Sequence, residues 1–424
     1  MRPASDERPP RVLVGQLGAR RHYAVPLALH AHGMLDRLCT DLYAGAGAAN
    51  AALRATARAL PWPALRRWAG RVEPGLPPDR VVAFTGFGLR CRWRSMRARS
   101  QSERTRCWLW AGRRFCERIV GLGFGDATAA YVFTSAALEV LEACREQGKV
   151  GILDFSTAPR RYELRLLREE AERFPGWTAP LESDDLIDAY ADRQGREAAL
   201  ADRIVCGSSY VRSALAAEGL PVGKAVVVPL GLHERFLAAP RAARADGPLR
   251  VLFVGGEGLR KGVGDLARAA ALLRSGRIVV RVVGDLGLTA AALAELRRDV
   301  ELAGSVPRSE VRSQYEWADV FVLPSISDTF GLTILEAMGA GLPALVTPHT
   351  AGADVIRDGE HGFVVPVRSP EAIAAKLDLL ASDRERLRVM SAAARDRAAE
   401  FSIAKYAERL ADCVKQAHSA RNVA

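Results

Sequence analysis

The segment VLPSISDTFGLTILEAMGAGLPALVT, Val322 to Thr347, constrains the chain more than any other. Phe321, Val322, Leu323 and Pro324 end an apolar strand, and a polar loop runs from Ser325 to Thr329. Phe330 to Gly339 then reads as a helix packed by Leu332, Leu335 and Met338. Gly341 and Pro343 punctuate the entry to a second apolar strand, Ala344 to Val346. Strand, loop, helix and strand in this order form a parallel α/β unit, whose loop sits at the carboxyl end of a strand, where such sheets bind ligands. Two acids bracket the loop and helix: Asp328 at the helix entrance and Glu336 about two turns further on. Free N–H groups at the helix start suit a phosphate, whereas a carboxylate beside them suits sugar hydroxyls.

A second glycine-punctuated turn supplies the complementary charge. Leu249 to Val254 reads as a strand that runs into Gly255, Gly256, Glu257, Gly258, Leu259, Arg260, Lys261 and Gly262. Glycines directly after a strand, with two adjacent cations before a helix, make an anion cradle. Further strands are expected at Val279 to Val283 and Val300 to Leu302, with helices at Leu288 to Asp299 and Val311 to Trp317. Beyond the opening unit come a turn at Asp358 to Gly362, a strand at Phe363 to Val365, and helices at Pro370 to Ala381, Asp383 to Glu400 and Ile403 to His418.

The amino-terminal half repeats the alternation. Arg11 to Gly15 is a strand, Gly15, Gln16, Leu17 and Gly18 a turn, and about His22 to His32 a helix. Cys39 to Tyr43, Ala129 to Thr134, Val150 to Phe155, Arg203 to Cys206 and Ala225 to Val228 read as strands. Helices are expected at Ala136 to Gln147, about Arg161 to Phe174, and Ser183 to Ala201, with Ser208 or Ser209 capping another that runs to Ala217. Two α/β halves joined by the polar, proline-bounded segment 233–248 fit a chain of 424 residues.

Residues 52–118 differ from the rest. They hold sixteen arginines against four acids, Glu73, Asp79, Glu103 and Glu117, which accounts for the net charge of +11 and leaves the other residues near neutral. Trp62, Trp68, Trp93, Trp108 and Trp110 are interleaved. Arginine with tryptophan on amphipathic helices suits an anionic membrane surface or a lipid-phosphate acceptor. The alternative is a solvated helical face with its tryptophans in the core. No nucleic-acid motif accompanies the charge, so nucleic acid is not expected as a partner.

Seven scattered cysteines without a CxxC pair argue against zinc and against a disulfide framework, and point to a reducing cytoplasm. The apolar run from Val12 is too short and interrupted for a signal-peptide core, and no segment has the length of a membrane span. The expected location is cytoplasmic, with peripheral attachment at the inner face of the membrane following from the arginine–tryptophan reading.

At its glycine loop and its opening unit the chain resembles the retaining glycosyltransferases of family 4. Val322 to Thr347 resembles that family's donor-site signature, and VGGEGLRKGVGDL is similar to its phosphate loop. LAGSVPRSEVRSQYEWADVFVLPS is similar to the segment before the signature, and ADRIVCGSSYVRSAL with VVVPLGLHERF to the end of the amino-terminal domain. The resemblance implies the α/β architecture called GT-B, two Rossmann-like domains facing across a cleft, with a carboxyl-terminal helix crossing back to the first. It divides the chain into residues 1–232, a linker 233–248, a donor domain 249–400 and the helix 401–424. It implies no metal and no cofactor, but a nucleotide sugar (UDP-, GDP- or ADP-sugar) as substrate and a sugar, lipid or small molecule as acceptor.

Carried over residue by residue, the resemblance places the donor diphosphate on Arg260, Lys261 and the N–H groups of Gly331 and Leu332, and the ribose on Glu336. Asp328, the catalytic candidate, meets hydroxyls of the transferred sugar with Thr329 and Phe330, and the nucleobase lies near Val306 and Pro307. On the acceptor side the candidates are Gly15, Gly18, His22, Arg160 and Arg161. Asp328 stands where the family usually has glutamate, one methylene longer, and Gly256 where many members carry arginine. The open alternatives are a helix-capping role for Asp328, a catalytically silent nucleotide-binding partner subunit, and an epimerase or phosphorylase on the same architecture.

Overall fold

The structure, a computed structural model, describes residues 9–45, 69–181, 183–237, 246–273, 276–307 and 310–423. Among these residues thirteen strands fall into two sheets, and every pairing within them is parallel. The first comprises β1 (Val12–Gln16), β2 (Leu35–Thr40), β3 (Val81–Ala83), β4 (Ala129–Phe133), β5 (Val150–Phe155), β6 (Arg203–Cys206) and β7 (Ala225–Val227). Their order is β3-β2-β1-β4-β5-β6-β7. The second comprises β8 (Leu249–Val254), β9 (Ile278–Val283), β10 (Glu301–Gly304), β11 (Val320–Leu323), β12 (Ala344–Val346) and β13 (Gly362–Val364), in the order β10-β9-β8-β11-β12-β13.

The central strands β1, β4, β5 and β11 are buried along their whole length, as parallel strands covered by helices on both faces must be. In both sheets the chain order reverses beside the first strand, and the loops after the strand ends form the crevice of doubly wound folds. The two sheets present these loops to one another. Helix Ile403–Val423 crosses back: it lies against helix Ala24–Ala31, and Arg421 reaches Asp202 at 2.6 Å. At the crossing, Leu232 N–H donates to the Phe401 carbonyl at 2.6 Å.

Several expected boundaries move. The second strand starts at Leu35 rather than Cys39, because Met34 and Leu35 are already buried. β3, inside the arginine-rich stretch, has no counterpart in the sequence reading. It pairs with Leu38–Thr40. The helix expected from His22 starts at Ala24, because Arg21, His22 and Tyr23 all adopt left-handed backbone angles (φ 48°, 49° and 62°). The seven cysteines are free, and burial pushes the thiols of Cys39, Cys144 and Cys206 up to about 12. No helix among the described residues is long and apolar enough to cross a membrane.

Gly15 packs closely against a helix. A Cβ there would lie 2.9 Å from Ile119 Cδ1 and 3.1 Å from Val132 Cγ1, so its missing side chain admits helix Gln101–Leu122 onto the sheet. Gly15→Ala is therefore expected to destabilise the protein by about 1–3 kcal/mol in urea unfolding through overpacking. Ile119→Val, which removes the clashing methyl, should recover part of that loss in the double variant.

Candidate functional site

The site forms where the glycine loop after β8 meets the loop after β11. Gly262 has φ 76°, and a Cβ on it would lie 2.0 Å from the Pro324 carbonyl oxygen. Only glycine permits that approach. Ile326 N–H donates to the Arg260 carbonyl at 2.9 Å, so the two loops are joined by backbone as well. The residue before Gly262 is Lys261, whose Nζ meets Asp328 Oδ2 in a short ion pair. Arg260 donates from Nη1 to the Ser327 carbonyl at 2.7 Å and also pairs with Glu257.

Asp328 is buried, and its N–H donates to the His349 carbonyl at 2.9 Å. Burial opposes ionisation of its carboxyl, but Lys261 and Arg260 more than offset this and hold it below the usual aspartate range. For Arg260 burial acts against the charge, and Asp328, Glu163 and Glu257 outweigh it, so the guanidinium stays charged. Burial keeps His349 neutral, its Nδ1 within 2.7 Å of the Ile326 carbonyl. Gly331, at φ 74°, starts helix Leu332–Gly339. A Cβ on Gly331 would lie 2.9 Å from Ile334 Cδ1.

The first domain is seated on this loop. Ser208 Oγ donates to the Thr329 carbonyl, and Tyr210 Oη donates to Ser327 Oγ at 2.8 Å. The Tyr210 ring stacks on His349 at 5.0 Å, and Ser209 N–H reaches Asp354 Oδ2 at 2.8 Å. Elsewhere across the cleft, Arg173 holds Asp265 at 2.7 Å and Arg368 holds Glu170 at 2.9 Å.

The expected residues divide among distinct cavities. Asp328, Thr329, Arg260 and Arg160 line one of about 460 Å³ between the domains. Glu336, Leu332 and His22 line a second, of about 330 Å³, beside the crossing helix. Leu332 thus faces a cavity with Glu336 instead of the core, and the helix is anchored by Ile334, Leu335, Ala337 and Met338. Tyr315 Oη donates to Glu336 Oε2 at 2.9 Å, and burial followed by that carboxylate pushes the phenol well up. Gly18 lines a third cavity, of about 450 Å³, within the first domain. Phe330 is buried, its carbonyl accepting from Ala351 N–H.

Two expected groups stand apart from these cavities. Arg161 is turned onto Asp188 at 2.7 Å on the outer side of its helix, one residue round from the cleft-facing Arg160. Val306 and Pro307 follow β10, the outermost strand. Val306 packs partly against the core, Pro307 is exposed, and neither lines the cavities that hold Asp328 and Glu336.

Sequence reasoning missed Arg21. Its guanidinium grips Asp154 at 2.8 and 3.1 Å, Tyr131 Oη donates to the same carboxylate at 2.7 Å, and Arg21 lines the cavity of Glu336. A Cβ on Gly207 would lie 3.8 Å from both Arg21 Nη2 and Thr329 Cγ2, so this cation stands beside the signature loop. Its only signal was its place after the first turn. Among the described residues no group of three or more His, Cys, Asp or Glu side chains converges as a metal site would.

Comparison with known proteins agrees with this geometry. Residues 237–397 match the family model described as "Glycosyl transferases group 1". The D-inositol 3-phosphate glycosyltransferase of Thermobispora bispora is 32% identical over 243 residues, which cover 51% of this chain and 56% of that protein. The amylovoran biosynthesis glycosyltransferase AmsK of Erwinia amylovora is 31% identical over 177 residues, 38% of this chain and 43% of the relative. The chain thus spans about half the length of the curated relatives it matches. Among solved structures, sucrose-phosphate synthase from Thermosynechococcus elongatus superposes with a TM-score of 0.65 at 16% identity, over 97% of this chain and 100% of that one. HepE of Anabaena, in complex with UDP and glucose, gives 0.60 at 14% identity over 95% and 98%. The likeness shows the GT-B fold.

The depressed carboxyl of Asp328 fixes the sign of a pH effect. Its ionised form contributes stability above the ordinary aspartate pKa of about 3.9, and that contribution is lost as pH falls. Asp328→Asn is expected to be about 1–3 kcal/mol less stable than wild type in urea unfolding at pH 7. The gap should narrow as pH falls below the ordinary aspartate range and through the lowered folded value; a gap independent of pH would show that the ion pair does not hold Asp328.

Proposed function

We propose that this chain is a glycosyltransferase that moves a sugar from a nucleotide-sugar donor to an acceptor hydroxyl with retention of configuration. The observation that carries the reading is a buried carboxylate, Asp328, held between Lys261 and Arg260 at the carboxyl ends of two opposed parallel sheets. The family match over residues 237–397 and the UDP and glucose bound by HepE support it.

In this reading the donor lies across the two interdomain cavities, ribose hydroxyls on Glu336 and sugar hydroxyls on Asp328. The diphosphate takes Lys261 and Arg260 from their carboxylate partners and receives N–H groups from Gly331 and Leu332. As the bond from the anomeric carbon to the diphosphate oxygen breaks, these groups stabilise the charge on the leaving group. The acceptor hydroxyl forms the new bond on the face that the diphosphate vacates and gives up its proton to the departing diphosphate oxygen. The cations supply the charge a bound metal would otherwise bring, and no resident cofactor is required. Contacts from Ser208 and Tyr210 to the signature loop represent the closed arrangement that excludes water from the transfer.

The arginine-rich region supports attachment to an anionic membrane surface. On helix Thr85–Arg97, Leu89, Trp93 and Met96 are 57%, 54% and 73% exposed and recur at helical spacing. Arg97 lies over Trp93, and Arg90 and Arg94 over Trp110, so cations flank an apolar stripe. Arg54, Arg58, Trp62, Arg66, Arg67 and Trp68 lie outside the described residues.

Thermal-shift and hydrolysis screening over UDP-, GDP-, ADP- and TDP-sugars tests the donor reading. One nucleotide is expected to raise Tm, Lys261→Ala and Glu336→Ala each to weaken its binding about tenfold or more. Asp328→Ala is expected to lower turnover by about a hundredfold or more. If no nucleotide stabilises the wild type, the reading fails; nucleotide binding without turnover, unchanged in Asp328→Ala, would mark a silent partner subunit. For the membrane, co-sedimentation with phosphatidylglycerol-containing vesicles should be lost in the triple variant Leu89→Ser, Trp93→Ser, Met96→Ser and should weaken with salt.

A further inference from the structure

The cavity of about 450 Å³ inside the first domain adjoins the reacting end of the site, since Trp108, Thr157 and Tyr190 line both it and the cavity of Asp328. Three guanidiniums, Arg20, Arg71 and Arg92, line it with one carboxylate, Asp41. Asp41 is already engaged: it accepts from Arg71 Nη1 and from Gly18 N–H, both at 2.9 Å, and from Thr40 at 3.3 Å. Among the described residues neither Arg20 nor Arg92 has a carboxylate partner.

Arg20 is held in place rather than loose. Gln16 Nε2 donates to the carbonyls of Gly18 and Arg20 at 3.0 and 3.1 Å, which fixes the loop. Arg20 Nε donates to the Leu17 carbonyl at 3.3 Å, and its guanidinium lies 5.6 Å over the Phe133 ring. Burial, the largest influence, pushes this guanidinium down from its ordinary value, and the charges of Asp154 and Glu197, neither of them ion-paired to it, offset only part of that cost. A neutral polyol in the cavity would leave that cost standing. An oxyanion would remove it, and the planar forks of Arg20 and Arg92 match phosphate oxygens. Two guanidiniums that make no ion pair suit a phosphomonoester, which carries about −1.5 to −2 near pH 7. Trp108, half exposed at the shared wall, offers a face for a sugar ring.

We propose that this cavity is an acceptor seat built for a phosphate-bearing sugar or polyol, its phosphate on Arg20 and Arg92 and its ring on Trp108, with the free hydroxyl directed toward Asp328. The proposal rests on the glycosyltransferase reading for the word acceptor, but its test reads binding and not turnover. The phosphate can belong to a soluble sugar phosphate or to a lipid headgroup.

The test is calorimetric titration of the full chain with glucose 6-phosphate, inorganic phosphate and glucose. Glucose 6-phosphate is expected to bind at least tenfold more tightly than glucose, and Arg92→Gln to weaken it roughly tenfold or more while melting like the wild type. Arg92→Lys should recover part of the affinity, and Lys261→Ala, at the donor diphosphate position, should leave it unchanged. Vesicles of phosphatidylcholine with phosphatidylinositol phosphate that displace glucose 6-phosphate support the seat with a lipid-borne phosphate; retained binding in their presence supports it with a soluble one. Equal binding of glucose and glucose 6-phosphate overturns the proposal, as does phosphate binding that survives Arg92→Gln and disappears in Lys261→Ala. Phosphate bound at Arg92 without any nucleotide binding would sink the donor reading and leave this seat standing.

Discussion

The close approach of Gly262 to the Pro324 carbonyl sets the position of Lys261, Arg260 and Asp328 in the cleft. A side chain at residue 262 would force the glycine loop away from the signature loop. Lys261 would then leave Asp328, and Arg260 would lose both its carbonyl contact with Ser327 and its share of Asp328's charge. A buried carboxylate left without its cations is costly, so the backbone approach and the ion pair require each other. The same arrangement stores a function. In the proposed donor complex Lys261 and Arg260 turn from these partners to the diphosphate, and sugar hydroxyls take their place on the Asp328 carboxylate.

The first domain depends on that loop in turn. Ser208, Ser209 and Tyr210 lie at the start of one helix and touch Thr329, Asp354, Ser327 and His349, all within the signature loop or the segment that braces it. A shift of the loop on donor binding would therefore be felt directly by the first domain. Arg173 with Asp265 and Arg368 with Glu170 hold the far side of the cleft through exchangeable ion pairs.

Much of this was legible in the sequence because it is written locally. Glycine punctuation and short apolar runs placed most strands to within a residue or two, and the order of alternation carried the doubly wound topology. The candidate pair Lys261 and Asp328 could be named because both sit in loops directly after strands. What failed depended on directions set by distant parts of the chain. Leu332 fits a core stripe by spacing, yet the left-handed turn at Gly331 and the neighbouring domain put it on a cavity wall. Gly15 reads as a turn glycine, yet a helix over a hundred residues away needs its missing side chain. Arg160 and Arg161 are equivalent in sequence, and one residue's rotation about the helix sends one into the cleft and the other onto Asp188. Three consecutive left-handed residues at Arg21, His22 and Tyr23 have no local cause; the Arg21–Asp154 pair and the buried Tyr23 hold them there.

The arginine-rich segment shows why net charge is a poor guide until side chains are placed. Arg113 and Arg114 share Glu117 on an exposed surface, where such pairs contribute little. Arg90, Arg94 and Arg118 lie over aromatic rings and cover apolar surface with their stems. Arg71 neutralises Asp41. With these set aside, Arg20 from the first loop and Arg92 from a helix face a single cavity, neither of them ion-paired to a carboxylate. That helix also carries Leu89, Trp93 and Met96 on its outer side. A face that meets an anionic surface and an adjoining face that receives a phosphate would place both halves of an acceptor problem, where it comes from and how it is held, on one short element beside the reacting carbon.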